Sequence, residues 1–205
     1  MGTDIHGIFQ AKKDGEWVDV PSEYDQSRHY LLFAWLGNVR NGHGFAGIFT
    51  HNPIVPLSDG RGFPDDFIIN GEEHPVLSID VMDKNRRNYR EENDPLEIWM
   101  GDHSYSWVSS EEVINTPLPK IIRTGIIGID EYNGWDGETA PGKWCDGIAG
   151  PGIHVSDTES IEEKTTHVKI SWAEDTSESL SYFVDEVRRL AETYGEVRFV
   201  FGFDS

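Results

Sequence analysis

The chain has 205 residues, with 37 Asp and Glu against 17 Lys and Arg, a net charge of −20 and 37% apolar residues. That length suits one domain with a real core, and the charge disfavours non-specific binding to nucleic acid or anionic membranes. No apolar run approaches the roughly 18 residues of a membrane span, and the lone Cys145 leaves no intrachain disulfide framework and suits a reducing compartment.

The chain starts without the basic-then-apolar pattern of a secretory signal, and His6 stands where myristoylation would want Ser or Thr after Gly2. The expected setting is cytoplasmic. The acids are scattered and form no long run. They read first as a solubilising surface. A DNA-mimicking surface and a set of metal-binding carboxylates are the alternatives.

Residues 4–11 predict a strand, Asp14-Gly15 a turn, and 16–20 its hairpin partner. A helix is expected over about 27–37, capped by Ser27 or Asp25. Its apolar residues run nearly all round, so it should be buried. Residues 37–73 are rich in Gly, Pro, Asn and Asp and read as a long loop, with one helical turn at Pro64–Phe67. Residues 75–82 alternate as a strand, 83–94 as a charged surface crossing, and 96–100 as a short apolar strand leading into a loop.

Ser109 or Ser110 should cap a short helix that Pro117 ends, and 120–130 read as a strand. A second Gly/Pro-rich loop spans 131–160. Strand 165–173 precedes a helix over about 177–194, where Leu180, Phe183, Val184, Val187, Leu190, Ala191 and Tyr194 form one apolar stripe. Gly195 suits its end, and strand 196–203 follows. This last strand–helix–strand unit permits a parallel crossover. The expected fold is a single α+β domain over 1–205: a mixed, mainly antiparallel sheet with two principal helices on one face and two long loops.

Asp4 and His6 are two apart on a strand and share a face. Asp102 and His103 form a second acid–imidazole pair, followed by Ser104 and Trp107. If the pairs converge, Asp4, His6, Asp102 and His103 could hold a divalent metal ion or run acid/base chemistry, with Ser104 beside them. Solvent exposure, turn capping and core filling are the ordinary alternatives for these residues. Arg40 and Arg61 lie in Gly-rich stretches and could clamp phosphate, although a salt bridge to one of the many acids is at least as good a reading.

Other signatures are missing. The chain has no P-loop, no dinucleotide fingerprint and no G-x-S-x-G elbow. One Cys excludes a cysteine-built zinc site, and Asp130–Gly137 misses the EF-hand spacing.

Asp4-Ile5-His6-Gly7 resembles the first motif of the metallophosphoesterases, and Gly101-Asp102 their second. The pattern departs at Gly37-Asn38, which precedes the second motif and continues with Val39 instead of His, and in the lack of a closing Gly-His-x-His. A broader resemblance covers the whole length. Met1–His6, Arg28–Phe33, His103–Trp107 and Val197–Asp204 are similar to small acidic proteins of bacteriophages and related viruses that begin Met-Gly-Cys-Asp-Ile-His. Thr3 replaces their Cys, so a thiol there is not essential in this chain. That resemblance implies a viral origin and one domain, and no chemistry.

Two functions follow as expectations. One is a viral accessory protein for metal-assisted hydrolysis, or for binding, of a phosphate-containing small molecule held by Arg40, Arg61 and Trp107. The other is a non-catalytic acidic protein that binds or inhibits a host factor, or sequesters a ligand.

Overall fold

The structure, a computed structural model, describes residues 2–42, 47, 48, 50, 52–69, 72, 73 and 100–204. The expected strand at 75–82, the charged stretch at 83–94 and residues 96–99 lie outside the described residues.

The α+β class holds, with mostly antiparallel strands. The hairpin forms as read, from β1 (Asp4–Lys13) and β2 (Glu16–Asp19) across Asp14-Gly15. The first helix, α1 (Tyr30–Gly37), starts later than the composition suggests. Its cap is His29, whose Nδ1 accepts from Leu32 N–H, while Asp25 is spent on the Ser27 amide. Pro64–Phe67 closes a hydrogen-bonded turn, Phe67 N–H to Pro64 O, and no helix. Beyond it, β3 (Ile68–Ile69) and β4 (Glu72–Glu73) form a small hairpin.

The expected loop after residue 100 is instead a strand, β5 (His103–Ser109), with an irregular register between His103 and Ser106. Ser109 caps α2 (Ser110–Asn115) through a reciprocal capping box with Glu112. β6 (Lys120–Gly128) runs into α3 (Ile129–Gly134), so the second long loop holds helix at its start and β7 (Val155–Asp157) near its end. The chain then forms β8 (His167–Asp175), α4 (Ser177–Tyr194) and β9 (Val197–Asp204).

The strands divide among separate sheets. One has the order β2-β1-β9-β5, another β6-β8-β7, and β3-β4 stands alone. β8 and β9 therefore do not form the permitted crossover. α4 carries the chain from one sheet to the other, and the parallel pair is β7 with β8. The physical reason lies in β9, which is buried along nearly its whole length and needs a partner on each edge. β1 and β5 fill those edges, both antiparallel.

On one face of the four-stranded sheet Ile5, Phe9, Val108, Phe199, Phe201 and Phe203 meet buried residues of α1 and α4. This main core joins the two principal helices on one side. The opposite face carries Ile8, Val200, Tyr105 and Trp107, covered by Phe63, Phe67 and Met100. At one end of that face Arg198 is buried, donates to Gln10 and Asp66, and lies 4.1 Å from the centre of the Trp17 ring. The three-stranded sheet has its own smaller core of Ile127, Val168, Ile170 and Trp172. Among the described residues no helix is long and apolar enough to cross a membrane.

Candidate functional site

The far end of β9 is where the singled-out residues gather. Strand pairing sets Asp4 opposite Asp204 and His6 opposite Gly202. Side chains alternate, so Asp4, His6 and Asp204 share the sheet face opposite the Phe199–Phe203 core. Asp4 N–H donates to Asp204 Oδ1 at 3.2 Å. His6 Nε2 lies 3.4 Å from Asp204 Oδ2. The approach is a charge contact without hydrogen-bond geometry, and only the strand pairing reveals it.

Asp4 itself is engaged from outside the sheet. Arg28 grips it with two bonds, Nε to Oδ1 at 2.9 Å and Nη2 to Oδ2 at 2.7 Å. The fork is the bidentate geometry that suits guanidinium. It holds the Asp4 carboxyl below its usual range, against a small opposing effect of burial. Gln26 extends the same edge, accepting from Gly7 N–H at 2.8 Å and donating to Gly7 O at 3.0 Å. Arg40 bonds to the residue before Asp4: its Nε donates to Thr3 Oγ1 at 2.8 Å, and its guanidinium lies 5.7 Å from the centre of the Tyr30 ring.

The second acid–imidazole pair sits across β9. His103 is opposite Phe203, and their rings stack with centroids 6.2 Å apart. Phe203 belongs to the main core, so His103 lies on the other side of the sheet from His6. β1 and β5 are separated by β9, about 10 Å between backbones at the usual strand spacing. The two pairs therefore flank one strand end but do not close around a single point.

Asp102 Oδ1 is 3.9 Å from His103 Nε2, a charge contact and not a hydrogen bond. On its other nitrogen His103 makes a true bond: Nδ1 and Ser104 Oγ are 2.9 Å apart. Ser104 has φ +53°, in the left-handed region that few non-glycine residues adopt. The turn around it is tightly held. Gly101 has φ +85°, a Cβ there would fall 2.3 Å from Phe203 O, and Tyr105 donates its hydroxyl to Gly101 O at 2.9 Å.

Arg61 is placed elsewhere. Its guanidinium forks onto Glu112 at 2.8 and 3.1 Å, donates to the carbonyls of Leu57 and Trp107, and lies 5.3 Å from the Trp107 ring centre. Trp107 packs on the Val200 side of the sheet. Both residues lock the loop before β3 to β5 and α2, which is the salt-bridge reading of Arg61. Burial pushes the Glu112 carboxyl up, but the bonds from Arg61 and Ser109 outweigh it and hold it below its usual range. Cys145 is half-buried and pairs its backbone with Ile126.

Among the described residues no group of three or more His, Cys, Asp or Glu is arranged to hold a metal ion. The nearest donor set is Asp4, His6 and Asp204, an oxygen and nitrogen set suited to a divalent ion. Arg28 already takes both Asp4 oxygens, so the residues as arranged do not fit a metal.

Sequence reasoning missed Asp204, Arg28 and Gln26. Asp204 carried one available signal, since Arg198, Val200, Gly202 and Asp204 alternate along the last strand. Its partners required knowledge of strand order. Comparison with protein families, curated proteins and solved structures finds no match to this chain.

Proposed function

We propose that the chain is a phage-type accessory protein of the host cytoplasm that binds and hydrolyses a phosphate-containing small molecule at the Asp204 end of the four-stranded sheet. The observation that carries this reading is the contact of His6 Nε2 with Asp204 Oδ2 at 3.4 Å on a common sheet face. A histidine paired to a carboxylate is a proton-transfer unit: the acid fixes the ring and stabilises its charged form. In this reading Asp204 orients His6, and His6 takes a proton from water or returns one to the leaving oxygen. Arg28 holds Asp4, which keeps that carboxylate from competing for His6. Arg40, bonded to Thr3 Oγ1, adds positive charge near this sheet end in a chain dominated by acids.

The test is turnover of generic phosphomonoesters and phosphodiesters by the purified chain, beside His6→Ala and Asp204→Asn. The expected loss is about 100-fold or more for His6→Ala and a smaller one for Asp204→Asn. Turnover that survives His6→Ala at the wild-type rate, or no hydrolysis and no binding of any phosphoester, sinks the reading.

A second reading is supported by the net charge of −20. An acidic protein of this kind could bind or block a basic host factor without catalysis, and its affinity would then depend on salt.

A further inference from the structure

We propose that Ser104 is a covalent nucleophile activated by His103, with the Asp102 carboxylate on the far side of the ring. The inference rests on the reading that the chain acts on phosphoesters, but it assigns a second, separate site, whose side chains lie on the opposite side of β9 from His6 and do not share its bound substrate.

Three observations meet at Ser104. The first is the hydrogen bond between its Oγ and His103 Nδ1 at 2.9 Å, within the range expected between a nucleophile and its base. The second is Asp102 Oδ1 on the far nitrogen of the same ring, 3.9 Å from Nε2. A carboxylate on that side favours the tautomer with the proton on Nε2. Nδ1 is then a lone pair, and Ser104 donates its hydroxyl proton to it. The third is the backbone of Ser104 at φ +53°.

A serine in the left-handed region is strained relative to Gly or Asn, and such strain persists only where surrounding contacts over-determine it. Here the contacts are known: Asp102 N–H donates to Phe203 O at 2.7 Å, Gly101 lies against Phe203, and Tyr105 Oη donates to Gly101 O. A bulge serving only to bend β5 has no need of serine at that position, because glycine would fit without strain. The side chains are also in reach of solvent: Ser104 is half-buried, and His103 is 36% and Asp102 26% exposed.

The chemistry balances with water as the only co-reactant. Ser104 Oγ attacks phosphorus of the ester, the Oγ–P bond forms and the P–OR bond breaks. The serine proton passes to His103 Nδ1 and then to the departing alkoxide, giving the alcohol. Water next attacks phosphorus, the P–Oγ bond breaks, and a water proton returns through Nδ1 to Ser104. The net reaction is ester plus water to phosphate plus alcohol.

The test is reaction of the full chain with a fluorophosphonate, which transfers phosphorus to an activated serine with loss of fluoride. Mass spectrometry then locates the adduct. Wild type is expected to be labelled at Ser104. Ser104→Gly should abolish labelling with an unchanged or higher Tm, since glycine suits the backbone. His103→Gln should slow labelling about 100-fold. No adduct in wild type, an adduct at another residue, or equal labelling of His103→Gln overturns the proposal. The two readings separate cleanly: His6-dependent hydrolysis without labelling rejects only the nucleophile, and labelling of Ser104 without phosphoester hydrolysis rejects only the phosphate reading.

Discussion

Gly202 shows how one residue permits the site. It sits in β9 between His6 and the irregular stretch of β5, and a Cβ there would fall 2.1 Å from Met100 O and 2.6 Å from the Tyr105 ring. The Met100 carbonyl is backbone and cannot swing aside. Gly202→Ala should therefore cost about 1–3 kcal/mol by overpacking, measured by urea unfolding, and should disturb Ser104 as well. Equal stability of the variant would show that β5 does not approach β9 so closely. The sequence displays this glycine inside a strand pattern, which signals close approach of something. It cannot say that the intruder is Met100. Asp4 and His6 were legible in the same partial way: their shared face follows from spacing, but their partners Arg28 and Asp204 are 24 and 200 residues away from Asp4.

At the scale of elements, periodicity was a sound guide where one apolar stripe meets one core. The helix at 177–194 shows this, with Leu180, Phe183, Val184, Val187 and Leu190 all buried. α1 is the opposite case. Seven of its residues are buried, so it has no polar face to mark its limits, and its start depends on a cap. That cap is His29, half-buried, ring to ring with Tyr182 at 5.8 Å and accepting from Leu32 N–H at 3.1 Å.

Burial lowers the His29 pKa below its ordinary 6.5. The neutral ring is the one that caps, because protonated Nδ1 cannot accept. The unfolded chain thus binds the proton more readily. The stability from this group is present above pH ~6.5 and is lost as pH falls through the lowered folded value. His29→Asn keeps an acceptor at the cap without titrating. The Tm of wild type should drop between about pH 7 and 5 by roughly 2–4 °C more than that of the variant, the equivalent of a ~1 kcal/mol cap. Parallel Tm curves would remove His29 as the cause.

At the scale of the whole molecule, charge and topology divide the question. The charge of −20 acts through the field of the entire surface. If the acidic surface is the working part, complexes with a basic partner should weaken by an order of magnitude or more between about 0.05 and 0.5 M salt, read by titration calorimetry. Salt-insensitive binding, or none, would count against that function and leave the sheet end as the working site. The α+β class, the hairpin, the capped α2 and the amphipathic α4 were determined by local sequence alone, because turn chemistry, capping and periodicity act within a few residues. Which strands pair, that they divide among separate sheets, and that Asp204 lies beside His6 while His103 turns to the other side were decided only by the tertiary structure. Pairing is a contest among distant segments for the buried edges of β9, and alternation within one strand carries no record of which neighbour wins.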